Sequence, residues 1–105
     1  MISTHILDTT KGSAAKGVKV ILSKRMQGQW TQVSQGETNA DGRFVFEMEK
    51  SAGDYQIEFL IEEYFGTQEH FFLNTPVRFK ISNLERKYHV PLLLNPYGFS
   101  TYRGT

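Results

Sequence analysis

Two histidines lie in stretches whose apolar and polar residues alternate as they do in β-strands. His5 lies within residues 2–7, and His89 lies within residues 87–94. Because successive side chains of a strand point to opposite faces, we expect His5 to share a face with Ser3 and Leu7. The residues predicted to share a face with His89 are Lys87, Pro91 and Leu93.

The imidazole group makes His5 and His89 candidates for general acid–base catalysis. Its ordinary pKa is near ~6.5, so the ring can take or give a proton at physiological pH. The alternative interpretation is structural, because a histidine in a strand often only hydrogen-bonds a neighbouring backbone group. The sequence does not say which of the two histidines would act as the base and which as the acid.

Arg43 directly follows Asp41 and Gly42. A planar guanidinium presents paired donors, which suit carbonyl oxygens or an enolate-like anion. In the alternative interpretation, Asp-Gly is a hairpin turn and Arg43 is a solvated charge at the start of a strand. Arg43 is therefore a candidate for substrate binding, although the three-residue motif is weak when taken alone.

The sequence closes on Tyr102, Arg103, Gly104 and Thr105. Terminal residues usually fray, but this segment crowds together a phenol, a guanidinium and a hydroxyl beside the terminal carboxylate. We expect Tyr102 to place an aromatic ring and a donor against a flat heterocycle, and Thr105 to contribute its hydroxyl. For Arg103 the alternative is an ion pair with a neighbour that fixes the segment.

Composition limits the function classes. The 105 residues include twelve Lys and Arg against eleven Asp and Glu, and no cysteine. A net charge of +1 gives no reason to expect a nucleic acid or an anionic membrane as partner. Neither disulfides nor thiolate sites are available, and three dispersed histidines have no metal-ligand spacing. No secretory signal, membrane span or peroxisomal ending is visible. We expect one soluble domain, residues 1–105, located in the cytoplasm.

Alternating segments recur along the chain and predict an all-β fold. In residues 43–49 the two phenylalanines and Met48 share one face. Only residues 61–65 are predicted to form a short helix, which Gly66 ends. Seven or eight short strands with turn residues between them are typical of a β-sandwich. The other strands are predicted at residues 18–22, 30–33, 55–59 and 77–81.

Three parts of the chain resemble the 5-hydroxyisourate hydrolases, which are transthyretin-related proteins. The segment Ser-Thr-His-Ile-Leu-Asp at residues 3–8 resembles the family's N-terminal motif, and Asp-Gly-Arg at residues 41–43 resembles its arginine motif. His-Val-Pro-Leu-Leu-Leu, Pro-Tyr-Gly and Tyr-Arg-Gly-Thr, within residues 89–105, resemble its C-terminal segment. That segment usually ends on serine where this sequence has Thr105, and Lys87 replaces a histidine that is frequent in the family.

The resemblance implies a transthyretin-like β-sandwich of two four-stranded sheets with one short helix. It also implies a homotetramer, a dimer of dimers, with active sites at the subunit interfaces in a central channel. The implied reaction is hydrolysis of 5-hydroxyisourate, a product of urate oxidation, to 2-oxo-4-hydroxy-4-carboxy-5-ureidoimidazoline. No cofactor or metal is predicted. The implied catalytic residues are His5, Arg43, His89 and Thr105, and the implied substrate-binding residues are His5, Arg43 and Tyr102.

Two other classes stay open. A carrier like transthyretin would keep the sandwich and a similar channel, but it would lack the combination of His5, Arg43, His89 and the terminal segment. A structural sandwich without a ligand would leave the polar terminal segment unexplained. The combination therefore favours the hydrolase.

Overall fold

The computed structural model describes residues 1–105 and contains nine strands and one five-residue helix. The all-β prediction and the helix predicted at residues 61–65 are confirmed. The structure has no helix with the length and apolarity that a membrane span requires. In chain order the elements are β1 (Ile2–Asp8), β2 (Ser13–Ala14), β3 (Lys19–Met26), β4 (Gln29–Glu37), β5 (Arg43–Phe46), β6 (Gly53–Phe59), α1 (Ile61–Phe65), β7 (Thr75–Ile81), β8 (Tyr88–Asn95) and β9 (Gly98–Thr101).

The strands form two sheets, which confirms the predicted sandwich. The first sheet has the order β2-β1-β8-β9, with β5 also paired to β1, and the second has the order β4-β3-β6-β7. The first sheet thus has five strands where four were predicted. The extra strand arises because two strands pair with the same edge of β1. Strand β5 pairs with residues 2–5 of β1, and strand β2 pairs with residues 7–8.

Alternate residues of both sheets meet in one hydrophobic core. Ile6 of β1 and Leu92 of β8 are fully buried there against Leu22 and Ile57 of the second sheet. Burying one such side chain stabilises a fold by roughly 1.5–3 kcal/mol. The residues that alternate with these buried ones along β1 and β8 point away from the core, to the outer face of the first sheet. That outer face carries His5, Arg43 and His89.

Strands β1 and β8 are parallel neighbours although they lie far apart in the sequence. Their register pairs Ser3 with His89 and His5 with Pro91. The buried Thr4 hydroxyl donates a hydrogen bond of 2.6 Å to the carbonyl of Val90 and ties the strands together on the core side. Because paired residues share a face, His5 and His89 lie diagonally across from each other on the outer face.

Strand β5 is shorter than its alternation predicts. The pattern predicts a strand over residues 43–49, but β5 ends at Phe46. The partner strand begins at Ile2, which pairs with Phe46, so the next residues have no strand to pair with. Met48 still packs against the core, as its apolar position predicts.

Candidate active site

The position of Arg43 is set by the glycine that precedes it. Strand β5 pairs with β1 and not with β4, so the hairpin interpretation of Asp41-Gly42 is wrong. The Gly42 carbonyl accepts a hydrogen bond of 2.7 Å from the Ile6 N–H. Gly42 has φ +73°, and a Cβ there would lie 2.4 Å from the Ile6 carbonyl oxygen, so only glycine fits. The resulting register places Arg43 opposite His5.

His89 is held by a residue that the sequence did not identify as part of the site. Ser3 Oγ lies 2.8 Å from His89 Nδ1, and Ser3 is only 8% exposed. The alternation of side chains predicted that Ser3 shares a face with His5, so the sequence did indicate that Ser3 lies near the site. The parallel register that brings Ser3 opposite His89 has no signature in the sequence.

The terminal segment is fixed against the same histidine. The Gly104 N–H donates a hydrogen bond of 2.8 Å to the His89 carbonyl, and the two residues form an isolated antiparallel bridge. A Cβ at Gly104 would lie 2.7 Å from His89 Cδ2 and 3.3 Å from Cγ, so glycine allows the backbone to lie against the imidazole ring. Just before it, the Thr101 hydroxyl donates 2.7 Å to the Pro91 carbonyl. The segment therefore docks on β8.

The side chains of the terminal segment lie on two sides of His89. Thr105 lines one concave region together with Arg43 and His89, and this region has a volume of about 320 Å³. Tyr102 and Arg103 line a second hollow of about 260 Å³ that also borders His89. Arg103 is exposed and has no ion pair, since the only one in the structure joins Lys19 to Glu63. No ion pair within the chain therefore fixes the segment.

His5 completes the group of predicted residues. It is half-buried on the outer face, opposite Arg43, and it does not itself line either hollow. The structure thus brings His5, Arg43, His89 and Thr105 to one region of the first sheet. Tyr102 lies beside His89 on the other side and is 58% exposed.

The electrostatics of this region act on His89. Burial lowers the pKa of His89 below its usual value, and the positive charges of Arg43 and His5 lower it further. Both effects penalise the imidazolium form. His89 is therefore a neutral ring at pH 7, able to offer one nitrogen as donor and the other as acceptor.

The third histidine lies elsewhere. His70 stacks on Phe65, with a distance of 5.3 Å between ring centroids, and its Nδ1 lies 2.8 Å from the Phe72 carbonyl oxygen. It is half-buried. No group of three or more His, Asp or Glu side chains is arranged to hold a metal ion.

One protein of known name and three solved structures are similar to this chain along almost its whole length. It is 44% identical to 5-hydroxyisourate hydrolase of Salmonella dublin, over 100% of this chain and 81% of that protein. The structure of Klebsiella pneumoniae 5-hydroxyisourate hydrolase superimposes with a TM-score of 0.85 at 34% identity, covering 99% of this chain and 98% of that one.

Two further structures extend the comparison. Sea bream transthyretin in complex with thyroxine superimposes with a TM-score of 0.91 at 31% identity, covering 99% of this chain and 94% of that one. (S)-allantoin synthase superimposes with a TM-score of 0.87 at 32% identity, covering 99% of this chain, and the chain spans 43% of its length. The sequence pattern of the HIUase/Transthyretin family matches residues 2–104. The chain therefore belongs to the HIUase/Transthyretin family.

Proposed function

We propose that this chain is an enzyme that hydrolyses 5-hydroxyisourate to 2-oxo-4-hydroxy-4-carboxy-5-ureidoimidazoline, a step of urate degradation. The observation that carries the proposal is the concave region where Arg43, His89 and Thr105 meet, next to His5. Family membership and relatives named 5-hydroxyisourate hydrolase, one of them 44% identical, identify the reaction.

The chemistry of the bond explains why these side chains are needed. A cyclic amide is opened when water attacks its carbonyl carbon, so the site must remove a proton from water and stabilise a developing oxyanion. His5 and His89 supply imidazoles for this work. The Arg43 guanidinium binds the substrate oxygens, and a well-placed donor of this kind often contributes about 3 kcal/mol to transition-state stabilisation. Tyr102 and Thr105 complete the binding surface.

A thyroxine-type carrier is the second candidate, and the fold alone does not exclude it. The TM-score to sea bream transthyretin is 0.91, against 0.85 for the Klebsiella hydrolase. Two observations favour the enzyme. The Salmonella relative is 44% identical, whereas the transthyretin is 31% identical. A carrier also has no need of a neutral imidazole held by Ser3 beside a free guanidinium.

The predicted homotetramer, a dimer of dimers, remains part of the proposal. Its support is an exposed apolar cluster formed by the loop before β7 and by strand β9. Phe71 is 72% exposed, Leu73 is 68% exposed, and the rings of Phe72 and Phe99 are 5.2 Å apart. Contiguous exposed apolar surface of this kind marks interaction sites. The cytoplasmic location predicted from the sequence stays a prediction.

The experiment uses freshly generated 5-hydroxyisourate, made with urate oxidase, and follows the loss of its ultraviolet absorbance. The wild-type chain is expected to accelerate this loss. His89→Asn is expected to lower kcat/KM about 100-fold, because the shorter amide cannot place a donor where Nε2 lies. His70→Asn is the matched control and is expected to keep the wild-type rate.

Two results would contradict the proposal. If the wild-type chain leaves the absorbance decay unchanged, the hydrolase function is wrong. If folded His89→Asn, checked by circular dichroism, opens the ring at the wild-type rate, His89 is not part of the active site.

A further inference from the structure

The contact between Ser3 and His89 can be made in two ways. A hydroxyl both donates and accepts, while a neutral imidazole has one nitrogen that donates and one that accepts. If Ser3 donates to Nδ1, the ring proton lies on Nε2. If Nδ1 carries the proton and donates to Ser3, then Nε2 is a free acceptor. The two arrangements give the ring opposite roles toward a substrate.

The surroundings of Ser3 favour the first arrangement. Ser3 is 8% exposed, and His89 Nδ1, at 2.8 Å, is the one hydrogen-bond partner of its hydroxyl. If the hydroxyl accepted instead, its own hydrogen would have no acceptor within the chain, although Ser3 borders the hollow that Arg43 and His89 also line, and an unpaired donor on a side chain with so little exposed surface is costly. No buried side-chain polar atom in the structure lacks a partner. Donation by Ser3 satisfies both groups.

We propose that Ser3 is a positioning residue, whose hydroxyl donates to His89 Nδ1 and so holds His89 as the Nε2–H tautomer. In this form His89 is a neutral hydrogen-bond donor to the substrate oxygen, and proton transfer is left to His5. This inference rests on the proposed hydrolase function and divides the work between its two histidines. Gly104 lies against the same ring and keeps its plane in place.

The reaction balances with one base. His5 takes a proton from water as the water oxygen bonds to the carbonyl carbon, and the carbonyl electron pair moves onto oxygen. When the carbon–nitrogen bond breaks, that pair returns to re-form the carbonyl, and protonated His5 gives its proton to the leaving nitrogen. His5 ends neutral, and the product has gained one water. His89 Nε2–H and Arg43 donate to the negative oxygen and lose no proton.

A donor role suits His89 better than a proton-transfer role. If a neutral imidazole gave up its Nε2 proton, it would become an anion, which is too basic to form near pH 7. Burial and the charges of Arg43 and His5 lower the pKa of His89 and so oppose the imidazolium form, which a true acid would need. A neutral imidazole can still stabilise an oxyanion through its N–H.

The first test measures the tautomer directly and does not depend on activity. Long-range proton–nitrogen NMR of chain labelled with ¹⁵N-histidine, at alkaline pH, identifies which ring nitrogen carries the proton. The His89 signals are assigned by their loss in His89→Gln. We expect a protonated Nε2 and an unprotonated Nδ1. A proton on Nδ1 overturns the inference, even if the chain hydrolyses 5-hydroxyisourate normally.

The second test compares glutamine at the two histidines. A glutamine amide can donate near the position of Nε2 but cannot take a proton from water. His89→Gln is therefore expected to lower kcat/KM only about 10-fold, while His5→Gln lowers it about 1,000-fold, within the range for loss of a general base. Equal losses in the two folded variants overturn the inference.

The pH profile separates the two roles further. His5 on β1 lies near His89, and further titratable and charged groups line the two hollows beside it. These are the Met1 amino group, Arg43 on β5, Lys80 on β7, Lys87 before β8, Tyr88 on β8, Tyr102, Arg103 and the Thr105 carboxylate. The acid limb of kcat/KM is expected to persist in His89→Gln, because in the proposed mechanism His89 is a hydrogen-bond donor and not the base. If the acid limb disappears in His89→Gln, the base is His89 and the inference is wrong.

Ser3 itself gives the third test. Ser3→Ala is expected to lower kcat roughly 10-fold with little change in KM, since only the orientation of a transition-state donor is lost. Ser3→Thr keeps the hydroxyl and is expected to restore most of kcat. Ser34→Ala, in the second sheet, is the matched control. A wild-type kcat in folded Ser3→Ala contradicts the role of Ser3.

Discussion

The outer faces of the two sheets both carry an arginine beside ring side chains, yet they differ in how these groups are held. On the first sheet Arg43 lies close to a neutral His89, whose ring is bonded to the buried Ser3 and covered by Gly104. On the second sheet the exposed Arg78 lies 5.0 Å from the Trp30 ring, and its Nε donates a hydrogen bond of 3.0 Å to the Gln56 side chain.

This difference indicates why the outer face of the first sheet is the candidate active site and that of the second sheet is not. Exposed contacts such as those of Arg78 are screened by water and cost little to rearrange. On the first sheet, a partly desolvated imidazole already has one ring nitrogen hydrogen-bonded, so its orientation is set before a substrate binds. The chemistry therefore depends on how a polar group is fixed, and an arginine beside a ring is not sufficient.

Among the tests of this comparison between the two faces, the largest effect is expected when Arg43 is replaced by glutamine. Arg43→Gln is expected to lower kcat/KM about 100-fold, because one well-placed donor to the developing oxyanion is lost. Arg78→Gln is expected to leave kcat/KM unchanged. Rates are measured with freshly generated 5-hydroxyisourate. An equal loss in both variants would remove the distinction between the two faces.

A smaller effect is expected from closing the space over His89. Gly104→Ala brings a Cβ to 2.7 Å from His89 Cδ2, so the ring or the terminal segment must move, and roughly a 10-fold loss of kcat/KM is expected. Gly98→Ala in β9 is the matched control, because its nearest atoms would lie 3.8 Å away. Both variants are expected to unfold at the wild-type temperature. Wild-type activity in Gly104→Ala would mean that the segment does not position His89.

The smallest expected effect is on the pH dependence of stability. Folding lowers the pKa of His89, so the unfolded chain binds more protons in the range between the lowered pKa and the usual ~6.5. The free energy of unfolding should therefore rise with pH through this range and level off above it. Arg43→Gln removes one cause of the shift and should reduce this rise.

Chemical denaturation at a series of pH values measures this contribution. The difference between wild type and His89→Gln isolates His89, because all other titrating groups are common to both. A difference that does not change with pH would show that folding leaves the His89 proton affinity unaltered.

Alternation in the sequence correctly predicted which residues share a face. It placed His5 with Ser3 and Leu7 on one side of β1, and it placed the phenylalanines of β5 on the core side. Strand periodicity is a local property, so it can be read from a few consecutive residues. The helix at residues 61–65 was equally local.

Pairing between distant segments could not be read in this way. The sequence gives no reason why Ser3 should lie opposite His89 or why β5 should leave β4 to pair with β1. The same limit explains why residues 47–49 were wrongly assigned to a strand, since the end of β5 is set by where β1 begins. The family resemblance supplied the topology, but the role of Ser3 required the register itself.

The parallel pairing of β1 with β8 has a consequence for how the protein acquires activity. Ser3 and His89 are separated by 86 positions, so their contact closes a very large loop, and long-range parallel pairings are slow to form. During synthesis, β1 leaves the ribosome long before its partner exists. Fragments and early folding intermediates should therefore be inactive even where most strands have formed, and the appearance of catalysis would mark the last stage of folding.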